Sequence, residues 1–335
     1  MIRLVFLIIG FFAVVGLIWH IGPSHIFLAV EQLGALAILI ILLPMVLVYG
    51  LEAYGWQLTL GSLASRVGFF RLFAVRMAGE AINVTTPTGY VGGEPIKAYL
   101  LQQYGVNLVD GLASVVTAKT TMVLAQILFM LMGVGLTVWI LGSSEYHVLA
   151  AFVSLGMLAL GLFLLYAVQQ YGIGAGLLGL LRATKIRLAF LEAREAKLRQ
   201  LDETIQTFYR HRKARFLFSV AVFLLGWLAE TLEVYAILYF LDVQVELLPS
   251  LAIAALSVLI KGGAFFIPGS LGAQEGGYLL LLVAFGYSDV TGITFALLRR
   301  LREIIWVMVG LMFLAFLKGK KTIPPTDAPM PVSSE

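Results

Sequence analysis

The chain has no cysteine, which excludes disulfides and thiolate metal sites. Histidine is nearly as scarce: His20, His25, His147 and His211 are scattered, so no cluster of metal-ligating imidazoles is expected. Charge is scarce as well. Asp, Glu, Lys and Arg make up 13% of the residues, where a soluble domain carries about a quarter. A surface so poor in charge has to be solvated by lipid. The sequence contains no G-x-x-x-x-G-K-[ST], no G-x-S-x-G and no H-E-x-x-H. Direct use of ATP, serine-based hydrolysis and zinc-peptidase chemistry therefore have no foothold, and neither cofactor nor metal is expected. The alternation over about ten residues that a transmembrane β-barrel repeats is also missing.

What is present is long apolar runs, in a chain 60% hydrophobic with mean hydropathy +0.96. They are Leu4–Trp19, Leu33–Leu51, Met122–Leu141, Val148–Val168, Phe216–Leu241 and Ile304–Leu317. Several reach the roughly 20 residues that cross a bilayer as helix. Arg3 and the run after it look like a signal sequence, but the run is long and no small-x-small site follows, so it reads as an uncleaved first span. Basic residues sit at Arg3, at Arg66, Arg71 and Arg76, in ten positions from Arg182 to Arg215, and at Lys318, Lys320 and Lys321. The loops Gly22–Gln32, Gly142–His147 and Asp242–Pro249 have none. That asymmetry puts both termini and the basic segments on the cytoplasmic side. The basic stretch reads as this bias rather than as a nucleic-acid surface.

Two stretches, 69–104 and 250–286, are only partly apolar and carry Gly and Pro. Alternation of the spans works only if each enters and leaves from one side. The expected fold is an all-α polytopic membrane protein with six full spans and two re-entrant, broken-helix hairpins. The divisions are 1–32 (first span and outer loop), 33–141 (repeat one), 142–180 (connecting span), 181–215 (amphipathic linker helix), 216–317 (repeat two) and 318–335 (disordered tail). In the linker Leu191, Leu198 and Ile205 fall at heptad spacing, with Leu201 and Phe208 alongside.

The broken stretches resemble each other. Pro87, Gly89, Gly92, Gly93 and Glu94 in the first answer to Pro268, Gly269, Gly272 and Glu275 in the second. The offset between the prolines, 181, also pairs Glu52 with Glu233, Gly105 with Gly286, Gly111 with Gly292 and Lys119 with Arg300. Together with the opposite orientations that the span count requires, this predicts an inverted-topology repeat. A helix broken at membrane depth frees backbone groups that are tolerated only where they line a cavity or bind something. Rigid tight turns are the alternative.

Glu52, Glu80, Glu94, Lys97, Lys119, Glu230, Glu233, Lys261, Glu275, Arg299, Arg300, Arg302 and Glu303 all fall in or beside apolar runs. Each costs roughly 2.5–3.5 kcal/mol at a lipid-facing helix centre, so they must pair, face inward or line a wet cavity. Arg299 and Glu303 are at i, i+4 and are expected to pair; Arg300 points elsewhere, with Glu275 or Glu233 as partner. The set either holds a polar ligand or locks helix packing by ion pairs.

The segments 86–100 (TPTGYVGGEPIKAYL) and 265–278 (FFIPGSLGAQEGGY) resemble the two signatures of the lysylphosphatidylglycerol synthase transmembrane-region family, also called flippase-like or UPF0104. The resemblance covers about 1–317. Within the family, 297–303 (LLRRLRE) and 274–278 (QEGGY) look most like the stand-alone membrane protein associated with hopanoid biosynthesis. The family implies movement of lipid between leaflets, with Glu94, Lys97, Glu275 and the Arg299–Glu303 cluster along the lipid path. Glu52, Lys119, Glu233, Arg300 and Arg302 join that path as charges inside the apolar runs. The full synthases carry a soluble aminoacyl-transferase domain after the membrane part; an 18-residue tail stands here, so lipid aminoacylation is not expected. Three functions follow: a lipid translocase, a non-transporting membrane partner of lipid-biosynthesis enzymes such as those for hopanoids, and an intramembrane lipid-modifying enzyme built on carboxylates. The translocase is the primary reading and the chain is not expected to be an enzyme. Membrane lipids are the expected partners, and the pattern sets no oligomeric state.

Overall fold

A computed structural model describes residues 23–86, 92–142, 195–263 and 272–317, with Phe12, Trp19, Ser270 and most of 152–163. Among the described residues every regular element is helical. The helices are α1 (Pro23–Leu60), α2 (Phe69–Thr85), α3 (Gly93–Leu101), α4 (Leu108–Leu141), α5 (Glu195–His211), α6 (Lys213–Phe240), α7 (Leu247–Gly263), α8 (Ala273–Ala284) and α9 (Asp289–Phe316).

Among the described residues, three stretches are long and apolar enough to cross a membrane: Leu36–Val67, Leu108–Leu141 and Lys213–Phe240. With no water to solvate them, such segments close their backbone hydrogen bonds internally, and that selects helix. Their outward faces are apolar: Leu36 is 70% exposed, Trp139 70% and Leu217 65%, as lipid contact demands. At 28 residues α9 is about 42 Å long. It spans by length but interrupts its apolar run with Arg299, Arg300, Arg302 and Glu303.

The expected outer loop at 22–32 is helical from Pro23. Proline at a first helical position costs no hydrogen bond and presets φ, and the chain breaks instead at Gly34 (φ 79°, ψ 156°). The expected spans at about 3–20 and 147–168 lie largely outside the described residues, as do Pro87, Gly89, Pro268, Gly269, Leu191 and the 318–335 tail. Of the expected linker helix 181–215, residues 181–194 lie outside the described residues; 195–211 form α5, and a break at Arg212 (φ −125°, ψ 40°) precedes α6. Its apolar stripe is covered: Leu201 and Ile205 pack on Val109, Leu112, Ala113 and Val116 of α4.

The second half repeats the order of the first: long helix, short helix, shorter helix, long helix (α1–α4, then α6–α9). Local devices recur at the offset of 181. Gly105 (φ 77°) and Gly286 (φ 87°) adopt the left-handed backbone between the short helix and the long one. Asn107 and Ser288 then cap α4 and α9, accepting from the backbone N–H of Asp110 at 2.8 Å and of Thr291 at 3.1 Å. One turn on, a Cβ at Gly111 would lie 3.3 Å from the Ala98 carbonyl oxygen, and one at Gly292 would lie 3.1 Å from Leu279 Cα. Ala98 and Leu279 are themselves equivalent positions.

Packing between the halves follows the same exchange. The helix α1 packs on its counterpart α6; α2 packs on α9, and its counterpart α7 packs on α4. Small residues allow these approaches: Gly310 of α9 sits against Met77 and Ala81 of α2, and Gly133 of α4 against Ala255 of α7. The charged stretches of α2 and α9 are thereby brought to the junction of the two halves.

Candidate functional site

A cavity of about 280 Å³ lies at that junction. Seven helices contribute to it, α1, α2, α4, α6, α7, α8 and α9, and its wall is unusually charged for a membrane interior. Glu52, Arg76, Glu80, Lys119, Glu230, Lys261, Arg299, Arg302 and Glu303 line it, with Tyr49, Trp227, Tyr278 and Trp306 among the aromatic lining. A cavity of about 40 Å³ adjoins the repeat-one side and adds Glu94 and Lys97 to the shared Glu52, Arg76, Glu80 and Lys119.

On the repeat-one side, α2 presents Arg76 and Glu80 one turn apart. Arg76 pairs with Glu52 of α1 and lies over the Tyr49 ring at 4.8 Å. Lys97 of α3 is 3.0 Å from Glu94 and 3.6 Å from Glu80. Lys119 of α4 reaches Glu94 at 3.6 Å. Asn83 ties the group to the start of α3: it donates to Glu80 and Glu94 and accepts from the Gly93 N–H at 2.7 Å. Gly93 is tightly packed on the Gly79 carbonyl, so glycine is required there.

On the repeat-two side, Glu233 of α6 is fully buried and holds two arginines of α9, Arg302 at 2.7 Å and Arg299 at 3.3 Å. Glu230 lies 3.5 Å from Arg299. Arg300 grips Glu275 of α8 through Nε at 2.8 Å and Nη2 at 2.5 Å, and Glu303 through Nη1 at 2.8 Å. Lys261 of α7 donates to Glu303 at 2.6 Å. Arg299 lies over the Tyr278 ring at 5.2 Å.

The two groups are charge-balanced. Repeat one pairs Glu52, Glu80 and Glu94 with Arg76, Lys97 and Lys119; repeat two pairs Glu230, Glu233, Glu275 and Glu303 with Lys261, Arg299, Arg300 and Arg302. Equivalent residues form equivalent bonds, since Glu94–Lys119 and Glu275–Arg300 are one ion pair displaced by 181 positions.

The sequence-derived set is thus brought together around the two cavities, some residues lining them and others behind the wall. Glu52, Lys119, Arg299, Arg302 and Glu303 line the large cavity, and Glu94 and Lys97 line the small one. Glu233, Glu275 and Arg300 do not line the large cavity; they stand behind it and hold its wall. The expected Arg299–Glu303 pair is replaced by Arg300–Glu303 at i, i+3, because Glu233 and Glu230 of α6 face Arg299. Of the expected helix-break residues, Gly92 and Gly93 begin α3, and Gly272 (φ 76°) precedes α8, where its N–H is accepted by Glu275 at 2.8 Å. Four residues were missed as a group: Arg76, Tyr49, Trp227 and Trp306. Arg76 reads as one of the basic residues flanking span two, yet it is 7% exposed. Its position four before Glu80, on the same face of an otherwise apolar helix, is the signal that marks it.

The family model for the lysylphosphatidylglycerol synthase TM region matches residues 3–311. A UPF0104 membrane protein of Methanothermobacter thermautotrophicus is 24% identical over 296 residues, 86% of this chain and 86% of that protein. A UPF0104 membrane protein of Pyrococcus horikoshii is 24% identical over 341 residues, 95% of this chain and 97% of that protein. No solved structure matches the chain. With its apolar helices, its buried charges and a match over nearly its whole length, the chain is a multi-pass membrane protein of the lysylphosphatidylglycerol synthase TM-region family.

Proposed function

We propose that the protein is a lipid translocase of the cytoplasmic membrane, with both termini inside, six spans and two re-entrant helix pairs (α2–α3 and α7–α8) in inverted orientation. A polar headgroup passes through the charged cavity while the acyl or isoprenoid tail stays in the surrounding lipid. One observation carries the reading: charges from both halves line a single cavity at their junction, inside a chain whose outer faces are apolar. Locking the helices together needs ion pairs but no open volume of 280 Å³ beside them. Broken helices meeting at the junction of equivalent halves are the construction by which secondary transporters expose one site to two sides in turn. With no phosphate-binding loop in the sequence, the driving force is an ion gradient, a lipid gradient or a partner. The polar face of α5, left outward by its packing on α4, offers a docking surface for enzymes of lipid synthesis, the role of a non-transporting membrane partner.

The test is headgroup accessibility in vesicles. Fluorescent phospholipid in the inner leaflet is expected to become accessible to a membrane-impermeant quencher faster with the protein than without it. Glu80→Gln, which strips one charge from the cavity wall, is expected to slow this by about tenfold, the effect of about 1.4 kcal/mol on one step. Equal rates in empty and protein-containing vesicles would remove the translocase reading and favour the membrane-partner role.

A further inference from the structure

The balance of charge at the cavity constrains what can enter it. The fourteen ionisable side chains around the two cavities carry formal charges that sum to zero, seven of each sign, among the described residues. A guest with net charge of either sign would leave this largely buried network out of balance, at a cost that burial raises. An uncharged guest would leave the polar wall unmatched. A guest bearing one group of each sign avoids both costs.

The wall also has vacant bonding capacity, and it differs by region. Arg299 is 3% exposed and lines the cavity, yet its Nε and Nη1 have no acceptor among the described residues. The Trp306 Nε1, two turns further on the same face of α9, lines the same cavity and lacks one too. Buried donors without acceptors are costly and rare, and three of them on one helix face make a place for an anionic oxygen group. Guanidinium forks suit phosphate. The carboxylates are the other half of the site. Glu80, whose side chain is 35% exposed, is 3.6 Å from its cation, and Glu230 is 3.5 Å from Arg299. Both line the cavity with acceptors held only loosely.

We infer that the cavity is built for a headgroup of zero net charge carrying a phosphate and an ammonium group, the phosphate on Arg299 and Trp306 and the ammonium on Glu80 and Glu230. This deepens the translocase reading, on which it rests, by naming the headgroup class. It sets the protein apart from one that moves a net-cationic aminoacylated lipid or a net-anionic one.

Binding to the full-length protein in detergent tests it, read from the fluorescence of Trp227 and Trp306. The probes are short-chain phosphatidylethanolamine (neutral, both charges), phosphatidylglycerol (net negative), its lysine ester (net positive), diacylglycerol (uncharged) and free glycerophosphoethanolamine (neutral, both charges, no tails). Phosphatidylethanolamine is expected to bind at least about tenfold tighter than the next three. Glu80→Gln, which leaves the network one positive charge in excess, is expected to reverse the order and favour phosphatidylglycerol. Trp306→Phe keeps the ring and removes a donor, and is expected to weaken every phosphate-bearing lipid by about threefold, read by calorimetry. Equal or tighter binding of either net-charged lipid or of diacylglycerol by the unaltered protein would overturn the inference, as would an unchanged preference in a folded Glu80→Gln. If free glycerophosphoethanolamine binds as tightly as the lipid, the charge class stands and the lipid translocase reading falls. If phosphatidylethanolamine binds selectively but no lipid crosses in vesicles, the site likewise stands and translocation falls.

Discussion

Lys119 and Arg300 occupy equivalent positions in the two halves, yet they are held differently. Arg300 is 2% exposed and forks onto Glu275 at 2.5 and 2.8 Å while also holding Glu303. Lys119 has a side chain 34% exposed and reaches Glu94 only at 3.6 Å. The contrast extends to the neighbours. Repeat two builds its group from three arginines on α9, two of them held by a fully buried Glu233, and one lysine, whereas repeat one uses two lysines and a single arginine. Arginine offers a rigid planar fork and lysine a mobile, strongly hydrated point charge. Equivalent positions thus form a stiff wall in one half and a yielding wall in the other. The yielding side is where a guest can exchange for an ion pair at least cost.

The comparison can be broken first at the two buried glutamates. Glu233→Ala leaves Arg299 and Arg302 short of an anion and is expected to cost about 3–5 kcal/mol of stability. Its counterpart Glu52→Ala leaves Arg76 over the Tyr49 ring and is expected to fall at or below the lower end of that range. Unfolding monitored by helicity in detergent separates them, and equal losses would erase the distinction between stiff and yielding halves. The two close-approach glycines come next. A methyl at Gly292 meets the Leu279 side chain at 2.9 Å and its Cα at 3.1 Å, where one at Gly111 has 3.3 Å of room. Gly292→Ala is expected to cost about 1–3 kcal/mol by overpacking and Gly111→Ala clearly less, by the same measurement.

Where the halves match, effects should match. Asn107→Ala and Ser288→Ala each remove one N-cap and are expected to cost about 1 kcal/mol apiece; a difference well beyond that scale would show the caps are not equivalent. The smallest expected effect sharpens the contrast in function. Lys119→Arg supplies repeat one with the fork of repeat two, and is expected to slow lipid exchange by about threefold without loss of stability. Unchanged or faster exchange would show that the looseness of the Lys119–Glu94 pair is not used.

Much of the architecture was legible because charges are rare in this sequence. The offset of 181 was readable from Pro87 and Pro268, and it carried Lys119 onto Arg300 and Gly111 onto Gly292 before any contact was known. The helical wheel showed that Arg300 needs a partner other than Arg299's, but left Glu275 and Glu233 both open; Glu275 takes it. Other features depend on tertiary neighbours that spacing does not show. Arg299 sits one turn before Glu303, but Glu233 and Glu230 on α6 outcompete it, and no single-helix argument could anticipate that. Arg76 was hidden by its place among basic residues that follow span two; burial against Glu52 is a property of the α1–α2 contact. The donors left open on Arg299 and Trp306 come from packing alone.

The central claim is that a water-accessible, charged cavity lies within the membrane between the two halves. Having no cysteine, the chain allows single thiols to be introduced without background. Gln126 and Leu128 stand two positions apart on α4, the first lining the cavity and the second 43% exposed on the outer face. With the protein in vesicles, Gln126→Cys is expected to react with a membrane-impermeant thiol reagent and Leu128→Cys to stay unmodified. Modification of Leu128→Cys with Gln126→Cys untouched, or protection of both, would contradict the account.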